Sequence, residues 1–404
     1  MDLLQSVTRH VDLKDRRTLY IALTGPIIAY FALRTLRALV TARSRSNSDT
    51  GVLASPRRAL GSLTKKQLDD LPYPPDALPG GRDVESPYGS IRVYEWGPDG
   101  GRKVLLVHAL APMAKLLVEQ GCRVMLFDLF GRGYSDTPDP ELYPQDVRLF
   151  TSQVLLVLSS SPLSWTGSEN RVTLIGYSLG GGISAAFTSY LPHLVESLIL
   201  IAPSGLIRHH HISQSSRLLY GSLLPQSLVN YYVRKRLGGD PETKPATTNT
   251  TPLPAKAIEA EVPDHPALAA DSSAPLFVDR PGISPAKAVA WQLDAHPGFL
   301  PAFISSIRYA PIRDEHERWS IIGQRQEAAR SASAQDAKNE SLKEGKVLIL
   351  LGKQDQVIVA TEVEEDARVA LGKENVECVT LQGGHDVPII NARGCVDAIL
   401  GFLR

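Results

Sequence analysis

Five short, almost unbroken apolar runs restrict this chain more than any other feature: Val104 to Val107, Val124 to Phe127, Val172 to Ile175, Leu198 to Ile201 and Val347 to Leu351. A strand with one wet face alternates apolar and polar side chains. A strand that is apolar at both parities needs cover on both faces, which a parallel sheet between two helical layers supplies. Stretches with a helical pattern, Met113 to Gln120 and Gln145 to Leu158, separate the early runs. This alternation predicts an α/β fold with a doubly wound, mostly parallel sheet. Glu85 to Gly97 adds a hairpin turning at Tyr88-Gly89, and Val376 to Leu381 a late strand.

The alternation stops after Ala202-Pro203-Ser204-Gly205 and resumes at Lys346. In between, Ser216 to Leu237 and Ser284 to Ala295 read as helices. The Pro-, Thr- and Ala-rich stretch from Asp240 to Ala274 has too few large apolar side chains to pack, and reads as disordered or as a long surface loop. Gln326 to Glu344 is a second loose stretch. Four parts follow: 1–59, an apolar anchor and polar tether; 60–205, the first part of the core; 206–322, an inserted helical cap; and 323–404, the second part of the core.

Thr18 to Leu33 carries no charge, and arginines 34, 37, 43 and 45 follow it. Length, with arginines able to snorkel, predicts a single membrane-spanning anchor. The positive-inside tendency then places the rest of the chain on the cytosolic side. The three cysteines, Cys122, Cys378 and Cys395, are odd in number and lack C-x-x-C spacing, which suits a reducing compartment. Acidic and basic residues number 43 each, so no net field favours a nucleic acid partner.

The segment with most chemical content is Val172 to Gly182, where Gly176-Tyr177-Ser178-Leu179-Gly180 joins a strand to a helix running to Tyr190. A serine between the two sits on a very sharp turn, so its neighbours two positions away need minimal side chains, and both are glycine. The turn exposes the hydroxyl at the carboxyl edge of the sheet, beside the N–H groups of a helix N-terminus. An alcohol becomes a useful nucleophile only when a base takes its proton and an acid orients that base. Asp355 follows the run ending at Leu351, and His385 follows Val376 to Leu381 in Gln382-Gly383-Gly384-His385. The order serine, aspartate, histidine, each after a strand, predicts the triad Ser178, Asp355 and His385.

Together, Val104 to His108, Asp128-Leu129-Phe130-Gly131-Arg132-Gly133-Tyr134-Ser135, Gly176 to Gly180, Leu351 to Asp355 and Gly384-His385 resemble the successive signatures of the α/β-hydrolase family. The resemblance covers about 84 to 404, interrupted by the cap. It implies that Asp128, Gly131, Gly133 and Ser135 shape the loop after the fourth strand, and that the N–H of Leu179 forms half of an oxyanion hole. It also implies a serine hydrolase acting on a small-molecule or lipid-like acyl substrate, with neither metal nor organic cofactor. The same triad can serve an acyltransferase, an amidase or a carbon–carbon hydrolase, and a silent fold retained for binding is a further alternative. In the family a glycine and a loop follow the strand ending at His108; here His108-Ala109-Leu110-Ala111-Pro112 leads almost directly into a helix. Leu110 is therefore the expected second donor, and the short connection reads as a compact hole built differently, as an impaired site or, the favoured reading, as a loop of about ten residues missing from the chain.

Arg208-His209-His210-His211 reads as a solvated loop at the cap entrance, because three consecutive side chains cannot all converge from a regular strand or helix. Arg234-Lys235-Arg236 reads as the solvated end of a cap helix. Trp291, Phe299 and Phe303 are expected either to line an acyl pocket or to form the cap core. Asn249 and Asn339 match the glycosylation pattern, which matters only for a lumenal domain.

Overall fold

The structure, a computed structural model, describes residues 24–25, 28–30, 32, 51–108, 110–221, 223–237, 273–277, 280–331 and 340–404. Residues 1–51 and 52–404 form separate units. In the second unit eight strands make one sheet: β1 (Gly81–Val84), β2 (Ile91–Trp96), β3 (Lys103–Val107), β4 (Arg123–Phe127), β5 (Val172–Tyr177), β6 (Val195–Ile201), β7 (Val347–Gly352) and β8 (Val376–Leu381). Their spatial order is β8-β7-β6-β5-β3-β4-β2-β1. The β1–β2 and β2–β4 pairs are antiparallel, and every other pair is parallel.

Burial follows the expected logic. β5 and β7 are buried at every position, whereas the edge strands β1 and β8 alternate with exposed residues. The hairpin begins earlier than expected, with Gly81–Val84 as its first strand and Gly89 in the turn at φ 102°.

Helices α1 (Ala111–Glu119), α2 (Val147–Ser159) and α3 (Leu179–Tyr190) follow β3, β4 and β5. Between β6 and β7 come α4 (Gln214–Leu219), α5 (Gln226–Leu237), α6 (Pro285–Ala295), α7 (Phe299–Tyr309) and α8 (His316–Ser331). The chain ends with α9 (Ala360–Leu371), α10 (Val387–Ile390) and α11 (Ala392–Phe402). Helices α1, α10 and α11 pack together, while α2, α3, α8 and α9 pack in succession.

The single helix expected over Ser216 to Leu237 is two, separated by residues 220–225. Proline removes a backbone donor and disfavours helix in the residue before it. Helices α7 and α8 were not anticipated. Gly323 in α8 lowers helix propensity, yet a Cβ there would lie 1.9 Å from the Leu371 carbonyl oxygen, so the crossing with α9 requires glycine.

The expected membrane anchor is corrected: among the described residues no helix is long and apolar enough to cross a membrane. The uncharged run of 16 residues would reach about 24 Å as a helix, short of a hydrocarbon core of about 30 Å. Most of that run, most of the Asp240 to Ala274 stretch, Asn249 and Asn339 lie outside the described residues.

Candidate active site

The turn from β5 to α3 places Ser178 at φ 50° and ψ −120°, a strained conformation for a residue with a side chain. Neighbouring glycines make it feasible. A Cβ on Gly176 would fall 2.2 Å from the Gly180 carbonyl oxygen, and one on Gly180 only 2.1 Å from that of Val107. The elbow is also fastened to the next strand. Its N–H donates to the Ile201 carbonyl at 3.0 Å, and its own carbonyl accepts from Ser204 at 3.0 Å and Gly181 at 2.9 Å.

The loops after β7 and β8 bring the other two residues to the same edge. Ser178 Oγ lies 3.0 Å from His385 Nε2, and His385 Nδ1 lies 3.0 Å from Asp355 Oδ2. An ionised carboxylate only accepts, so Nδ1 carries the proton and Nε2 is left to accept from the serine hydroxyl. The second oxygen of Asp355 accepts from the N–H groups of Val357 and Ile358, both at 2.8 Å, which fixes the carboxylate plane. The two loops are tied directly: Gln354 N–H donates to the Gly383 carbonyl at 2.9 Å, and Gly383 N–H to Gln354 Oε1 at 2.8 Å. Ser178, Asp355 and His385 are all buried.

Leu179 is the first residue of α3, where helix N–H groups have no intrahelical acceptor. Leu110 caps α1, which starts at the same sheet edge. His108 turns the chain there at φ 71°. Its half-buried imidazole is held neutral, at a pKa of about 4, by loss of solvent and by the neighbouring Arg132 guanidinium. In the loop after β4, Asp128 accepts from Tyr134 N–H at 2.8 Å and the Tyr73 hydroxyl at 3.2 Å. Burial raises its carboxyl to about 6 against the pull of those hydrogen bonds. This matches the structural role expected for it.

Tyr177 was missed. Its hydroxyl donates to Asp386 at 2.6 Å, linking the residue before Ser178 to the residue after His385. Its ring lies between His108 and His385, at centroid distances of 6.0 and 5.3 Å. Adjacency to both motifs was the available signal. Trp291 packs on Tyr73 and Tyr134, while Phe299 and Phe303 face the Arg132 guanidinium, 5.2 and 5.8 Å from their ring centres. Arg234 to Arg236 end α5 as expected, with Arg234 paired to Asp294 at 2.5 Å. The histidine run departs from a solvated loop, because His211 is buried against Glu362.

A doubly wound sheet with a strained serine elbow at its carboxyl edge is the architecture of the α/β hydrolases. Residues 104–392 match the family described as the α/β hydrolase fold, and the chain belongs to it. It is 30% identical over 128 residues to a serine hydrolase-like protein of Danio rerio, covering 30% of this chain and 37% of that one. A serine hydrolase-like protein of Dictyostelium discoideum is also 30% identical, over 127 residues, covering 29% of this chain and 33% of the relative. The matches thus span about a third of the length of these curated relatives. Among solved structures, a membrane phospholipase A superposes with a TM-score of 0.50 at 18% identity, covering 92% of this chain and 97% of that one. At that identity the likeness concerns the fold.

Proposed function

We propose that the protein is a serine hydrolase that cleaves a carboxylic ester or related acyl bond through an acyl-enzyme. The pair of 3.0 Å contacts joining Ser178, His385 and Asp355 carries this reading. Nε2 of His385 takes the hydroxyl proton as Oγ attacks the acyl carbonyl, and Asp355 steadies the imidazolium. The leaving group receives that proton, and water, activated by the same nitrogen, then releases the acid. The N–H of Leu179 is one donor for the developing oxyanion, and Leu110, at the N-cap of α1, stands in the place of the second on a shortened connection. The segment 206–322 serves as the cap, with Phe299 and Phe303 as apolar walls for a small-molecule or lipid-like acyl chain.

Hydrolysis of p-nitrophenyl esters of increasing acyl length tests the proposal. Ser178→Ala and His385→Ala should each lower kcat by on the order of a millionfold, and Asp355→Asn by about ten-thousandfold. Turnover by His385→Ala near the wild-type level would show that another group is the base.

A further inference from the structure

The run Arg208 to His211 is resolved by a short 3-10 turn at His209–His211 that sends its side chains different ways. His209 faces Asp314, with Nε2 3.0 Å from Oδ1. His210 and His211 instead converge on Glu362, in the first turn of α9 and 151 residues from His211. His211 Nε2 is 2.7 Å from Oε2, and His210 Nε2 is 3.4 Å from Oε1 of the same carboxylate. One ligand atom from each residue can be chosen so that all lie within 4.8 Å of one another. Bonds of about 2.1 Å in a tetrahedron set ligand atoms about 3.4 Å apart, so a small opening of the His211 contact admits an ion.

The surrounding charge permits this. Arg208 lies beside the cluster, with Nε 3.8 Å from Glu362 Oε2, but its guanidinium is engaged by Asp366 at 2.8 Å and Glu365 at 2.7 Å. His211 is buried and His210 is exposed, so the cluster has one fixed wall and one face open to solvent. Two imidazoles and one carboxylate are too few and too nitrogen-rich for calcium or magnesium, and suit zinc or a similar divalent ion with water as fourth ligand.

We propose that His210, His211 and Glu362 form a divalent transition-metal site of the zinc class, pinning the segment after β6 to α9. Because α9 starts five residues after Asp355, the ion would brace the entry to residues 206–322 against the element that follows the acid loop. The site does not depend on the proposed chemistry at Ser178.

The test uses the full chain, free of any affinity tag, equilibrated with zinc and then dialysed into metal-free buffer. Elemental analysis should find about one zinc per wild-type chain. It should find less than about a fifth of that in His210→Gln and in Glu362→Gln, with zinc affinity lowered at least tenfold to a hundredfold. His209→Gln should keep its zinc, since that side chain faces Asp314. Wild-type far-ultraviolet circular dichroism in each variant would show that a loss is not unfolding. The proposal is overturned by wild type that retains no zinc, by variants at His210 and Glu362 that retain as much as wild type, or by equal loss from His209→Gln.

Discussion

Replacing Gly180 by alanine tests how tightly the serine elbow is built. The added Cβ would stand 2.1 Å from the Val107 carbonyl oxygen and 2.9 Å from the His108 Cβ, where real Cβ contacts essentially never fall below 3.0 Å. Helix α3 must therefore move from the end of β3 by roughly 1 Å, the shortfall against an ordinary C···O contact of about 3.3 Å. Two effects compete. Alanine favours a helix over glycine by about 0.8–1 kcal/mol, whereas overpacking a closed contact costs about 1–3 kcal/mol, so a net destabilisation of about 0–2 kcal/mol is expected. The larger effect is on chemistry. The shift separates the N–H of Leu179 from Leu110 and misaligns Ser178, and a 1 Å misplacement costs about a hundredfold in rate. Gly401, in α11, has nothing within 4 Å of its added Cβ, so Gly401→Ala is the control, expected to gain up to about 1 kcal/mol without loss of rate. Urea midpoints and kcat on one p-nitrophenyl ester measure both variants. A Gly180→Ala enzyme within about threefold of wild-type kcat, at unchanged stability, would refute the reasoning.

Tyr177→Phe removes the 2.6 Å hydrogen bond to Asp386; kcat should fall about tenfold with KM little changed, as the loop bearing His385 loses its tie to the elbow. Loss of KM alone would contradict this. His296 is buried, with Nε2 donating to the Ser135 carbonyl and Nδ1 accepting from Gly298 N–H, and burial lowers its pKa from 6.5 to about 4. Its unfolded form takes up a proton near 6.5 while the folded form does not, so the stability it contributes is present above that pH and is lost as pH falls towards 4. Between pH 7 and 5 the loss is about 2 kcal/mol, and His296→Gln should show a pH dependence of unfolding smaller by that amount; an equal dependence would exclude the assignment. Insertion of a loop of about ten residues between His108 and Pro112 is expected to raise kcat about a hundredfold or more by completing the oxyanion donors, and equal turnover would mean that Leu110 already serves.

The central sheet was legible because strands covered on both faces carry apolar residues at both parities, and β3 to β7 do so. The convergence of Ser178, Asp355 and His385 was legible for a local reason: each lies just beyond a recognisable strand, so sequence order alone brings them to one edge. Contacts between distant segments gave no such signal. Glu362 lies in an acidic helix turn like many others, and nothing in Arg208 to His211 points 151 residues ahead to it. Helix α8 hid for another reason. Its apolar face is reduced to Trp319, Ile322 and the glycine required at the α9 crossing, so its periodicity is faint. The N-terminal anchor failed on length, where snorkelling arginines were asked to extend a run too short to span.

The most direct measurement is covalent capture of the nucleophile. A fluorophosphonate reacts with a serine only where a base activates it and an oxyanion site receives the phosphoryl oxygen. Full-length wild type treated with such a probe, digested and analysed by mass spectrometry should carry the adduct on the peptide containing Ser178. Ser178→Ala should remain unlabelled, and His385→Ala should label far more slowly. Folded wild type that takes up no probe, or an adduct on a different serine that persists in Ser178→Ala, would contradict the proposed serine hydrolase chemistry.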